Sequence, residues 1–215
     1  TQRLNEWFAE KYEQQLQKSP FMLTFLGRKE KYDQIDDMSE AAEKRELAWQ
    51  KELVAELQSK FDYDKLDAEG KISYDIWMDQ YQRGVAGEKF VHNQYVFTQM
   101  QGIQAFAAQF LINFHKVDEL SDMEAYNKRI VAIANAISTL LERAQLHASK
   151  GVRPPKFAYE GVIEQATALI TGAPFSESES DSALWADANR KVDALLKAGK
   201  IDEEKAKQLK ADAKQ

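Results

Sequence analysis

Apolar side chains return at three- and four-residue spacing along almost the whole chain, a period that few architectures besides packed helices satisfy. Residues 2–18 put Leu4, Trp7, Phe8, Tyr12 and Leu16 on one stripe. Ser19-Pro20 reads as a cap and a first helical residue, opening a short helix over 21–26 that Gly27 closes. Ser39 caps a helix over 40–60 with Leu47, Leu53, Val54 and Leu57 inward. Asp67 caps the next, over 68–83, with Ile72, Ile76, Trp77 and Tyr81 as its stripe; Gly84 and Gly87 break it. Gly102 precedes a very apolar helix over 103–115, of the kind usually buried. Ser121-Asp122-Met123-Glu124 has the form of a capping box for a long helix over 122–149. Tyr126, Ile130, Ile133, Ile137, Leu140, Leu141 and Ala144 form its stripe, and Gly151 ends it. Pro154-Pro155 forces an extended turn before a helix over 155–171. Helices over 183–198 and 202–214, parted by Gly199, complete the pattern.

Two stretches depart from it. Around 88–100, Phe90, Val91, Tyr95, Val96 and Phe97 have β character, as an extended loop or a short strand. Residues 176–182 are polar and acidic and read as a solvated loop; a cation site is the alternative, although EF-hand spacing is lacking. The expected fold is all-α, an irregular antiparallel helical bundle of about 7–9 helices with one short extended segment near 88–100.

A chain of 215 residues suffices for one large domain or two small ones. A net charge of −6 with no basic stripe argues against a nucleic-acid partner. No apolar run approaches a transmembrane segment. Without cysteine there are no disulfides or thiolate metal sites, which leaves the compartment open. The start at Thr1 and the charged, uncapped helix over 200–215 lead us to expect a processed chain or a piece of a longer one.

Motifs that carry chemistry are sparse. A helical zinc site needs two imidazoles on one face, usually four residues apart, and His92, His115 and His147 are far apart in sequence. Asp36-Asp37, Asp62, Asp64 and Asp67, and Glu203-Glu204 lie near expected helix starts, where capping accounts for carboxylates. His115 is placed to bind the last carbonyls of its own helix, and His147 to complement the negative end of another. His92 lies in the non-helical stretch with Asn93, Gln94 and Tyr95; it is the best lone candidate for a ligand contact, beside a more ordinary structural role. No nucleophile elbow, phosphate loop or dinucleotide fingerprint is present. Trp7, Phe8, Trp49, Trp77, Phe106 and Phe110 fall at helical spacing and read as packing residues.

Several phrases, taken in order, resemble the N-terminal region of a bacterial family. They are Ser19-Pro20, Leu26-Gly27, Tyr32-Asp33 and Asp37-Met38-Ser39; Leu66-Asp67 with Ser73-Tyr74-Asp75; residues 93–102 with Gln99-Met100 and Gly102; and the helix from Tyr126 to Gly151 followed by Val152-Arg153-Pro154-Pro155. The family is DUF885, domain of unknown function 885, and the ordered set covers roughly residues 1–175. The resemblance implies a longer secreted protein or lipoprotein, related to zinc metallopeptidases, with a His-Glu-x-x-His helix in its C-terminal half. There two histidines would bind zinc and the glutamate would act as general base.

This sequence lacks that motif, so the resemblance implies no catalytic residue, metal ligand or cofactor here, and zinc only in the full-length parent. It implies that residues 1–175 are a helical N-terminal region and that 176–215, an acidic loop plus two helices, continue into an absent C-terminal domain. That C-terminal half and a peptide substrate are the implied partners. A periplasmic location or a lipid anchor in the outer membrane, carried on a removed N-terminus, is also implied; the residues themselves leave a cytoplasmic one open. On this reading the region forms a wall of a substrate channel, with His92, Asn93, Gln94, Tyr95, Gln99 and Gln101 as substrate contacts. The alternative from another class is a stand-alone helical interaction or scaffold module without enzymatic activity.

Overall fold

A computed structural model describes residues 1–100, 102–177 and 180–214. Among them the chain is all-α. It has nine helices: α1 (Gln2–Leu16), α2 (Pro20–Phe25), α3 (Glu40–Lys60), α4 (Ala68–Gly87), α5 (Ile103–Asn113), α6 (Leu120–Ser149), α7 (Lys156–Leu169), α8 (Ala183–Lys197) and α9 (Glu203–Lys214). Two 3-10 turns, Tyr63–Lys65 and Glu88–Asn93, complete the inventory, and no strand occurs among the described residues. None of the described helices is long and apolar enough to cross a membrane. The helices fall into two compact units, one of Thr1–Lys18 and Asp37–Gln94, the other of Ser19–Asp36 and Tyr95–Gln215.

The first unit is built on α1, α3 and α4. Leu4 and Trp7 of α1 close on Leu53 and Leu57 of α3, with Phe8, Trp49, Phe61, Leu66, Tyr74, Trp77 and Met78 around them. Trp7 is the hub: Phe8, Phe61 and Trp77 meet it edge-on at 5.4, 6.0 and 5.4 Å. Each such pair adds about 0.5–1.5 kcal/mol beyond the area it buries. The indole N–H of Trp7 donates to Glu56 Oε1 at 3.0 Å, and Lys11 and Lys60 also reach that carboxylate. Hydrogen bonds from Lys60, Trp7 and Lys11 hold Glu56 down to about 2. The core face of α4 differs from the expected stripe. Tyr74, Trp77 and Met78 pack inward, while Ile72 and Ile76 are 59% and 53% exposed. Trp77 sets this phase by packing against both Trp7 and Phe8, a larger buried surface than two isoleucines offer. Gly84 does not break α4, which runs to Gly87; a Cβ on Gly84 would lie 3.2 Å from Leu47 Cδ1 of α3.

The second unit packs α5 against α6, α7 and α8, and α9 against α6 and α8. As its composition requires, α5 is buried through Ala107, Ala108, Phe110 and Leu111. Gly151 takes φ +86, letting Val152 N–H reach back to His147 O and end α6. The start of α6 is a correction to the expected Ser121–Glu124 box. The helix begins at Leu120, and Asp122 accepts the free N–H groups of Asp118 and Glu119 at 2.9 and 3.0 Å. Asp122 can do so because Lys29 fixes its buried carboxylate.

The stretch 88–100 is also refined. Glu88–Asn93 continues α4 as a 3-10 turn, and extended backbone begins only at Gln94 (φ −96°, ψ 147°). With no neighbouring strand to pair with, its β-prone residues form no ladder. Residues 178 and 179 of the acidic segment lie outside the described residues; at its far end Ser180 O accepts from Ala173 N–H, and Ser182 N–H donates to Ala173 O. Gly172 (φ +97) makes this possible, since a Cβ there would meet the Ser180 carbonyl oxygen at 2.7 Å.

Candidate functional site

The residues singled out from sequence divide between the units. His92 and Asn93 end the 3-10 turn of the first unit and Gln94 follows it. His92 Nδ1 lies 3.4 Å from Glu40 Oε1, whereas Asn93 and Gln94 are exposed. Tyr95 and Gln99 belong to the second unit. Gln101 lies outside the described residues. The six positions therefore do not form one cluster within either unit.

What the second unit does build is an anchored segment. Gln104 of α5 donates to Thr98 O at 2.8 Å and to Gln165 Oε1 at 2.8 Å; Gln165 of α7 donates in turn to Gln99 O at 2.7 Å. The two amides satisfy backbone carbonyls that an irregular segment would otherwise leave open. Gly161 of α7 admits the segment, since a Cβ there would sit 2.7 Å from Gln99 Cβ. Tyr95 is exposed and Met100 is 85% exposed, so both present apolar surface to solvent. Along the C-terminal half of α7 and just past it, Glu164, Thr167, Ala168 and Thr171 line an open depression of about 500 Å³ with Asp181 and Ala183.

Beneath the surface the same unit holds a polar network. Arg129 of α6 is fully buried, and no carboxylate lies among its hydrogen-bond partners. Its Nε donates to Gln34 O at 2.8 Å, Nη2 to Thr24 Oγ1 at 2.8 Å and Pro20 O at 3.4 Å, and Nη1 to His115 Nδ1 at 2.9 Å. Tyr32 and Phe110 present their ring faces to the guanidinium. Burial lowers Arg129 to about 10, which leaves it charged at neutral pH. An arginine can only donate, so His115 accepts at Nδ1; its Nε2 carries the proton and donates to Asp122 O at 2.9 Å. Burial, with the charges of Arg129 and Lys191, pushes His115 down to about 4.

A second buried group links α6 to α8. Lys191 donates to Asp187 Oδ2 at 2.6 Å and to Leu111 O at 2.7 Å, and Tyr126 donates to the same Asp187 oxygen at 2.9 Å. Arg190 takes the other carboxylate oxygen. Burial raises the Tyr126 hydroxyl and lowers the Lys191 ammonium. Tyr126, Asp187 and Lys191 are buried and closed on one another, an arrangement that fastens α6 to α8.

Both nitrogens of His115 are engaged, and Glu40 with His92 supplies two groups where zinc takes three or four protein ligands. Among the described residues, no three His, Asp or Glu side chains of one unit converge at ligand spacing.

The profile of a bacterial family, described as a bacterial protein of unknown function (DUF885), matches residues 20–215. The chain belongs to the DUF885 family. No curated protein and no solved structure matches it. In this DUF885 chain, sequence reasoning missed Arg129, Asp187 and Lys191. The signal was present: Arg129 stands between Tyr126 and Ile133 on the apolar stripe of α6, and Asp187 and Lys191 share the buried face of α8. A charge inside an apolar stripe marks a buried pair or network. His115 was placed at the carbonyls of its own helix but binds the first turn of α6 instead.

Proposed function

We propose that this chain is a non-catalytic helical part of a zinc-dependent, peptidase-like hydrolase and forms one wall of its substrate channel. The observation that carries the reading is an irregular segment whose Thr98 and Gln99 carbonyls are held by Gln104 and Gln165, with Glu164 and Asp181 lining an open depression beside Gln165. A fixed irregular segment can present Tyr95 and the Gln99 amide to a peptide without first being ordered, which lowers the cost of binding. Glu164 and Asp181 would favour a positively charged end or side chain. On the family resemblance, the metal and its general base would be supplied by a His-Glu-x-x-His helix in a C-terminal part of the parent protein. The same resemblance supports a periplasmic or lipid-anchored location, which cell fractionation would test.

The test is a comparison of zinc content and peptide-library cleavage for the full gene product and for residues 1–215, with Gln99→Ala introduced in the former. Expected are about one zinc per chain and cleavage in the full product alone, with a raised KM or lowered kcat in the variant. A gene product ending near Gln215 that neither binds zinc nor cleaves overturns the reading, as does unchanged kinetics in a folded Gln99→Ala protein. One observation favours the second reading, an interaction module: α7 exposes Phe157, Tyr159 and Ile163. Partner binding that Ile163→Glu abolishes, in a product without zinc or cleavage, would install it.

A further inference from the structure

Residues 19–36 leave the first unit, pack on the second and return. Asp36 closes this excursion on itself, accepting from Ser19 Oγ at 2.6 Å and Phe21 N–H at 2.9 Å. The excursion is fastened to the rest of the second unit at its edges by Lys29 on Asp118 and Asp122, Tyr32 on Lys116 O and Lys128 on Asp33, and at its buried centre by one side chain. Pro20 O, Thr24 Oγ1 and Gln34 O, near both of its ends, all accept hydrogen bonds from Arg129. His115 sets the guanidinium's orientation from the other side, with Tyr32 of the excursion stacked on the imidazole at 4.1 Å.

We propose that residues 19–36 are an acid-loosened clip, whose hold on the rest of the second unit weakens when His115 takes up a proton. The geometry gives the reason. A second proton on the ring must go to Nδ1, the atom that now accepts from Arg129, and it would put two donors and two positive charges face to face. Nε2 stays on Asp122 O, so the new proton has no acceptor. Arg129 must then turn away, and its three bonds to the clip go with it. Stacking of Tyr32 on an imidazolium is weak compensation beside that loss.

The groups facing His115 do not offset the charge in this range. From α6 come Asp122, Tyr126 and Arg129; from the clip Lys29 and Tyr32, with Asp33 and Asp36 further out towards Arg129; from α8 Lys191, paired to Asp187. Burial would raise Asp122, but Lys29 and the N–H groups of Asp118 and Glu119 outweigh it, so Asp122 stays ionised and committed to Lys29. Loosening also uncovers aromatic surface, because Phe21 and Phe25 of the clip cover Phe106, Phe110 and Phe114 of α5.

Hydrogen exchange of the whole chain at pH 7.5 and 4.5, corrected for intrinsic rates, tests this in the wild type and in His115→Gln. Glutamine offers an oxygen to Arg129 and an N–H to Asp122 O but does not titrate. Wild-type protection over 19–36 should fall on the order of 50- to 100-fold, the linkage expected for a group moving from 6.5 in the loosened state to about 4 when clipped. Protection of α8 and α9 should hold, and His115→Gln should keep its clip protected at both values. Unchanged wild-type protection overturns the proposal. So does simultaneous loss in α8 and α9, or an equal loss in the variant. If His115→Gln does not fold, the wild-type imidazole titration by NMR decides: a midpoint away from that of clip loosening overturns the proposal.

Discussion

At the scale of single residues, a buried charge without a carboxylate is stable only while every acceptor around it stays in place. Arg129 meets three acceptors on residues 19–36 and one on His115. Arg129→Met would fill similar volume but strand all four, at a cost of about 2–4 kcal/mol; a urea midpoint unchanged from wild type would contradict this. His115 adds a pH dependence of definite sign. Its folded value, about 4, lies below its ordinary 6.5, so the folded state binds fewer protons than the unfolded one. Its contribution is complete above pH 6.5 and is lost as pH falls towards 4, to the extent of about 3 kcal/mol. Urea titrations at pH 7.5 and 4.5 should show that loss, and His115→Gln should remove most of the difference. Little of this was legible beforehand. Sequence periodicity marks where a side chain sits on a helix, and nothing in it joins Arg129 to Gln34 or His115 to Asp122.

At the scale of elements, local signals were read well where local chemistry decides the outcome. Ser19, Ser39 and Asp67 cap their helices through side-chain oxygens, and Gly27, Gly151 and Gly199 end theirs with positive φ. Signals failed where a neighbour decides. Gly84 reads as a breaker in isolation, yet it lies inside α4 against Leu47. Ile72 and Ile76 read as core, yet Trp77 sets the phase. The anchored segment depends on a neighbour in the same way. Gly161→Ala should gain helix propensity of about 1 kcal/mol, but its Cβ would press on Gln99 Cβ, close to the backbone. We expect net destabilisation of about 1–2 kcal/mol and faster exchange at Gln99 and Met100; a rise in Tm would show that the segment yields freely. Ile163→Glu, on exposed α7, should leave stability within about 0.5 kcal/mol as judged by thermal melting.

At the scale of the molecule, the helical class and helix number follow from periodicity, while the division into two units does not. Residues 19–36 belong with a body that resumes only at Tyr95, and no composition shift announces that. The tryptophans make the division measurable. Trp7, Trp49 and Trp77 lie in the first unit and Trp185 in the second. In a Trp185→Phe background, emission reports the first unit alone while far-UV circular dichroism reports all helices. Arg129→Met should lower the circular-dichroism midpoint and shift the emission midpoint less; equal shifts would mean a single cooperative transition.

The meeting of Ser19 with Asp36 has a consequence for how this gene can be cut. The two residues are 17 apart in sequence, yet their side chains touch at 2.6 Å. Chain that departs and returns at one point can be excised without stretching what remains. A few glycines and serines joining Lys18 to Asp37 should suffice to make residues 1–18 and 37–94 a continuous polypeptide, since closing so short a loop costs little. Such a miniature, about 76 residues long plus its joint, would keep Leu4, Trp7, Leu53 and Leu57 and would show whether that core folds unaided.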